Sequence, residues 1–326
     1  MEGNGYVKIL LASPIDPATI ESLEATYDVR HAVNAEPRLL AEAISDRETV
    51  VLRSGVQLTA EVLKQAPDMK LIVRAGSGLD NIDVNFARER GIRVIRVPGM
   101  SALPVAEFTF AMLLSLARKV TLADRLIRQG HWPKADLGGA LLRGKTLGIV
   151  GAGNIGSLVG EMGHAWGMRV LGCVARPTAP VGQHLFERGI TMTDFDTIVA
   201  EADFLCLHVP LDNHTRNLVD ASVLTRMKPG SLLVNMARGG VVDEQALLKQ
   251  LDEGSTVAGA ALDVHEQEGE GTMSPFVELP NVVLTPHIGA MALDSQRLIG
   301  DRAAVLIQAF HEGRLDEEIQ DGEHVA

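Results

Sequence analysis

Leu147-Gly148-Ile149-Val150-Gly151-Ala152-Gly153-Asn154-Ile155-Gly156 runs from an apolar stretch straight into a glycine-rich one. Its first four residues carry no polar alternation, as in a strand covered on both faces of a parallel sheet. The glycines that follow are spaced G-x-G-x-x-G, and residues 157–168 continue as a helix. In a strand–turn–helix each glycine has its own task. Gly151 allows the tight turn, Gly153 lets backbone approach a pyrophosphate, and Gly156 lets the helix pack close to the strand. The helix N-terminus, at Asn154 and Ile155, aims free N–H groups and a positive dipole end at that pyrophosphate. Three glycines alone also make ordinary turns, so the strand before and the helix after carry the reading of a dinucleotide site.

The same alternation extends in both directions. Downstream, strands are predicted at 147–150, 170–174, 204–208, 231–236, 257–262 and 282–285, the number expected of a doubly wound dinucleotide-binding sheet. Upstream, strands at 7–11, 50–52, 71–73 and 94–95 alternate with helices at 17–25, 38–44, 60–65 and 85–90, which makes a smaller parallel α/β unit. Pro98-Gly99 breaks the chain. Residues 103–130 then read as one long helix with Pro104 in its first turn. Its apolar positions wrap nearly all the way round, as in a helix buried on several sides, here between the two domains and a second subunit. A helix over 291–312 is expected to return to the first unit, and the acidic tail from Leu315 to be frayed. The expectation is an α/β protein of two doubly wound, Rossmann-like parallel-sheet domains with a cleft between them. Residues 1–99 plus 288–326 form the flavodoxin-like substrate-binding domain, and residues 100–287 the Rossmann domain.

Composition narrows the class of function. A length of 326 residues is long for a single core. A net charge of −12 argues against a nucleic-acid surface, which needs a basic face. Cys173 and Cys206 both sit in apolar strand-like runs, which suits buried thiols in a reducing compartment rather than a disulfide. Residues 1–5 lack the basic and apolar regions of a secretion signal. The longest apolar run, residues 108–117, is too short to span a bilayer. A cytoplasmic protein without membrane contact is expected, and no metal site.

Two further residues have chemistry in their placement. Arg238 ends a strand and precedes Gly239-Gly240, where a guanidinium can bind a carboxylate through two parallel hydrogen bonds. His287 follows Pro286 at another strand end, the sheet edge where ligands bind in such folds, and an imidazole can exchange a proton near neutral pH.

Five patches together resemble the NAD(P)-dependent D-2-hydroxyacid dehydrogenase family over nearly the whole chain. They are Arg74-Ala75-Gly76-Ser77-Gly78-Leu79-Asp80-Asn81-Ile82-Asp83, Val105-Ala106-Glu107, the Gly151 to Gly156 turn, Asn235-Met236-Ala237-Arg238-Gly239 and Thr285-Pro286-His287-Ile288-Gly289. The first patch and the length look most like phosphoglycerate dehydrogenases without a regulatory C-terminal domain. The resemblance implies hydride transfer between a nicotinamide cofactor and C2 of a small D-2-hydroxy acid or 2-keto acid. It makes Arg238 the carboxylate anchor and carbonyl polariser, and His287 the general acid/base. The carboxylate that orients the histidine is matched by Glu268, with Glu266 as competitor, because Gly269 stands where the family has proline. His265 occupies a usual aromatic position and is read as a packing variant. Asp263 resembles the residue that holds the nicotinamide carboxamide, and Ala237 and Gly289 flank the same cofactor. Val209, Pro210 and Thr215 match the segment under the adenine.

The substrate implied is an anion. Gly76, Ser77 and Gly78 resemble the loop whose N–H groups hold the substrate carboxylate, and a glycine-rich turn exposes amides suited to that task. Arg53, Arg74 and Lys134 match basic positions near a substrate phosphate, Lys134 being supplied across a homodimer. Ser101 and Pro104 depart from the Asn and Ser usual in the family. For the cofactor, Val174 stands where an NAD enzyme has an acidic residue about 20 residues past the glycines, and Arg176 follows it. That favours NADP, with NAD as the alternative. Hydroxypyruvate or glyoxylate reduction, and reduction of a phosphonate-bearing 2-keto acid in secondary metabolism, remain alternatives. So does another class, a dinucleotide-sensing corepressor-like binding protein.

Overall fold

The computed structural model describes residues 6–254 and 256–326, so the expectation placed on residues 1–5 lies outside the described residues. In chain order the elements are β1 (Lys8–Leu11), α1 (Pro17–Glu24), β2 (Asp28–His31), α2 (Pro37–Ile44), β3 (Thr49–Leu52), α3 (Ala60–Lys64), β4 (Leu71–Arg74), α4 (Val84–Glu89) and β5 (Arg93–Arg96). They continue as α5 (Ala102–Ala117), α6 (Val120–Arg128), β6 (Thr146–Val150), α7 (Asn154–Ala165), β7 (Arg169–Cys173), α8 (Ala179–Glu187), β8 (Ile190–Met192), α9 (Phe195–Glu201) and β9 (Phe204–Leu207). The remainder is α10 (Ala221–Arg226), β10 (Ser231–Asn235), α11 (Glu244–Asp252), β11 (Val257–Leu262), β12 (Val282–Leu284), α12 (Leu293–His311) and α13 (Leu315–Glu318). The chain divides into two compact units, residues 1–101 with 291–326 and residues 102–290.

The first unit is a five-stranded parallel sheet in the order β2-β1-β3-β4-β5, the doubly wound order of flavodoxin-like folds. β3 and β4 are buried at every position, so their continuous apolar runs were readable. β2 was not foreseen. It is an edge strand of sequence Asp-Val-Arg-His with no fully buried position, and so carries no apolar signal. α12 packs on α1 and β4, where Ile299, Ala303, Leu306 and Ile307 join Ile9, Leu11 and Val73 in one core.

The tail corrects an expectation. It is not frayed but closes the other sheet edge, with Val325 N–H donating to Val94 O and Val94 N–H to Ala326 O. His324 pairs antiparallel with Ile95. Behind it the nearly enclosed Arg302 and Glu323 form a two-pronged ion pair, Nε to Oε1 at 2.8 Å and Nη2 to Oε2 at 2.7 Å. The acidic look of the tail thus hides a carboxylate directed inward.

The second unit is a seven-stranded parallel sheet in the order β12-β11-β10-β9-β6-β7-β8. It is the dinucleotide-binding arrangement with one strand added beyond the usual six. The strand missed by sequence, β8, is again an edge and only three residues long. Large apolar clusters cover both sheet faces, one including Leu147, Ile149 and Cys206, the other Leu205, Leu207 and Leu233. Both cysteines are free thiols.

The long helix expected over 103–130 is two helices. Lys119 adopts left-handed φ of 54°, and Ala140 N–H takes the Ala117 carbonyl at 2.9 Å, which satisfies the end of α5 from outside and stops it. Residues Gly99–Ala117 are long and apolar enough, by length and composition, to cross a membrane, and 56% of the stretch is buried. The burial has a source within the unit, since α5 packs on α7, β10, β11 and β12. α6 by contrast buries no residue.

Candidate active site

The glycine turn follows β6, next to the point where the sheet order reverses between β6 and β9. Crossovers lead away to opposite faces there and leave a crevice at the carboxyl ends of the strands. The three glycines are required for three different reasons. Gly151 has φ of +93°, and a Cβ there would meet His208 O at 2.6 Å. A Cβ on Gly156 would collide with Gly151 O. Gly153 has only open space before it, so a ligand can reach the backbone. α7 has no side-chain cap, and among the described residues the N–H groups of Asn154 and Ile155 have no protein acceptor. An uncapped N-terminus of this kind is an anion seat and fits the pyrophosphate of a dinucleotide.

On one side of the turn, a cavity of about 650 Å³ is lined by Gly153, Asn154, Val174, Arg176, Val181 and His184 among others. No carboxylate lines it. Across the switch point, Val209 packs on Gly151, and Thr215 Oγ1 donates to Pro210 O at 2.6 Å, closing a tight turn after β9. His208 at that strand end was not singled out by sequence. Neither ring nitrogen has a partner among the described residues, and burial pushes its pKa down to about 4, so it is a neutral ring.

Arg238, Glu268 and His287 follow β10, β11 and β12, three neighbouring parallel strands, so topology alone puts them at one sheet edge. Asn235 shapes the first turn, its Oδ1 accepting from Ala237 N–H and its Nδ2 donating to Arg238 O. Arg238 is half-buried, with Nη1 donating to Ala237 O at 2.7 Å. Ala237 itself is buried.

His287 Nδ1 lies 2.9 Å from Glu268 Oε2 and 3.2 Å from Oε1. Burial raises the pKa of Glu268, but the His287 hydrogen bond and charge, with the His265 N–H, outweigh it and leave the carboxyl below its ordinary value. Glu266 is occupied elsewhere. Its Oε1 accepts from Glu244 N–H at the start of α11, while its own N–H donates to Glu244 Oε1. Glu244, buried beside two other carboxylates, has its pKa raised, because burial and the charges of Glu266 and Glu268 outweigh the lowering by the Glu266 N–H. His265 Nε2 bonds to Thr285 O at 3.0 Å, and its carbonyl closes on Gly239.

His287 holds φ of 56°, a left-handed conformation that costs a non-glycine residue on the order of 1–3 kcal/mol. Asp263 sustains it. Its buried carboxylate accepts from Thr285 Oγ1 at 2.7 Å, Ile288 N–H at 2.9 Å and Gly289 N–H at 2.8 Å, and its carbonyl accepts from His287 N–H. A Cβ on Gly289 would press on Asp263 Oδ2 at 2.9 Å. Asp263 is therefore first a clamp on the histidine turn, a role not visible in the sequence because its partners lie 22 to 26 residues away.

In the first unit, Gly76 has φ of +146° and its N–H is taken by Arg74 O, while the N–H groups of Ser77 and Gly78 have no acceptor among the described residues. Ser77 Oγ bonds to Pro98 O and Ser101 Oγ. Arg53 is half-buried, with Nη1 3.0 Å from Met291 Sδ and no carboxylate in ion-pair contact among the described residues. Arg74 departs from its expected place at a ligand surface. It is 5% exposed, Nη1 donates to Ala75 O, and the guanidinium packs where a Gly76 side chain would stand, so it shapes the loop from beneath. Lys134 is an exposed residue of the second unit, after α6.

Residues 110–289 match the family model described as D-isomer specific 2-hydroxyacid dehydrogenase, NAD binding domain. The chain belongs to the D-2-hydroxyacid dehydrogenase family. It is 37% identical over 314 residues to a D-3-phosphoglycerate dehydrogenase of Methanocaldococcus jannaschii, covering 96% of this chain and 59% of that one. The chain thus spans just over half the length of that relative. It is 38% identical over 283 residues to a hydroxypyruvate reductase of Thermotoga maritima, covering 86% of this chain and 88% of the other. The solved D-lactate dehydrogenase of Aquifex aeolicus, complexed with NAD and lactic acid, superposes with a TM-score of 0.84 at 29% identity over 98% of each chain. Membership in this family fixes an NAD(P)-binding domain.

Proposed function

We propose that this chain is an NADP-preferring oxidoreductase that reduces the C2 carbonyl of a small anionic 2-keto acid to the D-2-hydroxy acid, and runs the reverse reaction where concentrations demand it. The observation that carries the reading is the Glu268–His287 contact at 2.9 Å on strand ends next to Arg238. The bound nicotinamide supplies or accepts a hydride. Arg238 holds the substrate carboxylate and polarises the carbonyl. His287 donates the proton that turns the developing alkoxide into a hydroxyl, and is left neutral. Glu268 accepts from Nδ1–H, which fixes the tautomer and stabilises the charged ring before transfer. Asp263 keeps the turn in place, and its carboxylate retains acceptor capacity for a carboxamide. Residues 100–287 carry the dinucleotide. Residues 1–99 plus 288–326 form the substrate-binding domain, whose Ser77 and Gly78 N–H groups suit an anion.

A phosphorylated three-carbon acid resembling 3-phosphoglycerate is the favoured substrate, because Arg53 has no ion-pair partner among the described residues and Lys134 adds a second cation from a neighbouring subunit. A homodimer is further supported by α6, whose Val120 and Ile127 are about half exposed, and by Trp132 at 81% exposed. NADP is favoured by Arg176 in a pocket without a carboxylate. A cytoplasmic location accords with the two free thiols.

The test is the initial rate of NADPH or NADH oxidation with 3-phosphohydroxypyruvate against hydroxypyruvate at equal concentration. A preference for the phosphorylated acid that Arg53→Ala removes is the expected result. Near-normal turnover in both His287→Ala and Arg238→Ala would overturn the mechanism. A preference for hydroxypyruvate would move the chain to the general reductases.

A further inference from the structure

The pocket beside the glycine turn holds a second nitrogen-bearing side chain besides Arg176. Its wall is built from the end of β7, at Val174 and Arg176, and from one face of α8, at Pro180, Val181 and His184. The two helical residues nearest in register, Val181 and His184, are three apart and so share a face. α8 is anchored at its start by Thr178, whose hydroxyl accepts from Val181 N–H, so that face is fixed relative to the strand end. Nearby carboxylates are turned to other partners. Glu187 accepts from Gln183, and Glu161 pairs with Arg188 at 2.9 Å. Neither Arg176 nor His184 has an ion-pair or hydrogen-bond partner among the described residues. The pocket therefore carries two donors and no acceptor charge, about 650 Å³ in extent and continuous with the pyrophosphate seat at Gly153 and Asn154.

Resting on the NADP reading above, we propose that His184 is a specificity-determining residue. Together with Arg176 it forms a two-sided seat for a phosphate on the adenosine 2′ oxygen, the arginine from the strand end and the imidazole from α8. A phosphate monoester has three acceptor oxygens, more than one guanidinium satisfies, and a donor on the opposite wall takes those that remain. A ribose bearing only hydroxyls would find no carboxylate in this wall, whereas the acidic residue of an NAD site supplies one.

The test uses the full chain and two probes that differ only in the group at issue, adenosine 5′-monophosphate and adenosine 2′,5′-bisphosphate, with affinities measured by calorimetry. The wild type is expected to bind the bisphosphate more tightly. His184→Ala should reduce that preference about fivefold, the order of one charge-assisted hydrogen bond at an exposed position, and leave the monophosphate unchanged. His184→Glu should reduce it further by repulsion. Because His184 is exposed on α8, both variants are expected to melt with the wild type. A bisphosphate preference lost in Arg176→Ala but intact in both His184 variants would overturn this inference and leave the NADP reading standing. No bisphosphate preference in the wild type would overturn both.

Discussion

Replacing Glu268 with Gln separates an orienting carboxylate from a merely neighbouring one. The substitution keeps size and an acceptor oxygen for His287 Nδ1–H but removes the charge that favours the imidazolium. A hydrogen bond to a charged group contributes about 1.5–3 kcal/mol, so the charged ring would lose stabilisation of about tenfold to a hundredfold. The Glu268 side chain is 38% exposed and that of His287 26%, so solvent screens the pair and the lower figure applies. In the reducing direction His287 must be protonated. kcat/KM for reduction should therefore fall roughly tenfold at alkaline pH, where the proton is hardest to hold, and much less in acid. The assay is NADPH oxidation with a saturable 2-keto acid across pH 5 to 9. A loss of equal size at every pH would refute the reasoning, since it would mean that geometry and not charge was removed. So would the same pH-dependent loss produced by Glu266→Gln, whose carboxylate is engaged by the α11 N–H of Glu244 instead.

Two further outcomes follow from packing. Gly156→Ala places a methyl group against Gly151 O, and is expected to cost about 1–3 kcal/mol in stability and to weaken dinucleotide binding, read by melting with and without added cofactor. Glu323→Gln removes one partner of a nearly enclosed ion pair and should destabilise the first unit by about 3 kcal/mol, with faster hydrogen exchange at the Val94 amide that the tail covers. For Glu323, burial raises the pKa, but Arg302 and the Gln320 N–H lower it, leaving it depressed. Its contribution is thus complete above the unfolded carboxylate value of about 4.3 and lost as pH falls through the lower folded value. The gap between wild type and variant should close in acid, and a gap that persists unchanged at pH 2 would contradict the assignment.

The departures from the sequence reading share a physical origin. β2 and β8 escaped notice because an edge strand has one unpaired side and little need of apolar residues, and hydrophobic pattern is the primary local signal of a strand. The tail from Leu315 looked solvated because its composition is acidic, yet Glu323 finds its arginine on α12 and its backbone finds β5. The helix break at Lys119 depends on a carbonyl taken by Ala140, a contact across an intervening helix and loop that no helix propensity records.

Much of the protein is written in local order along the chain. The strand–turn–helix at residues 147–165 shows itself in the sequence because each glycine answers a requirement within a few residues: a positive φ, an open backbone, a close helix. The alternation of buried strands and helices likewise determined two parallel sheets, since only strands covered on both faces are apolar throughout. The positions of Arg238 and His287 at strand ends were legible for the same reason. Tertiary structure decided what those residues touch. It chose Glu268 over Glu266 as the partner of His287, turned Arg74 beneath its loop, and made Asp263 the clamp that holds a strained histidine. Hydrogen bonds and ion pairs are fixed by distances of about 3 Å between groups far apart in the chain, and sequence order does not encode such distances until the sheet has brought the strand ends together.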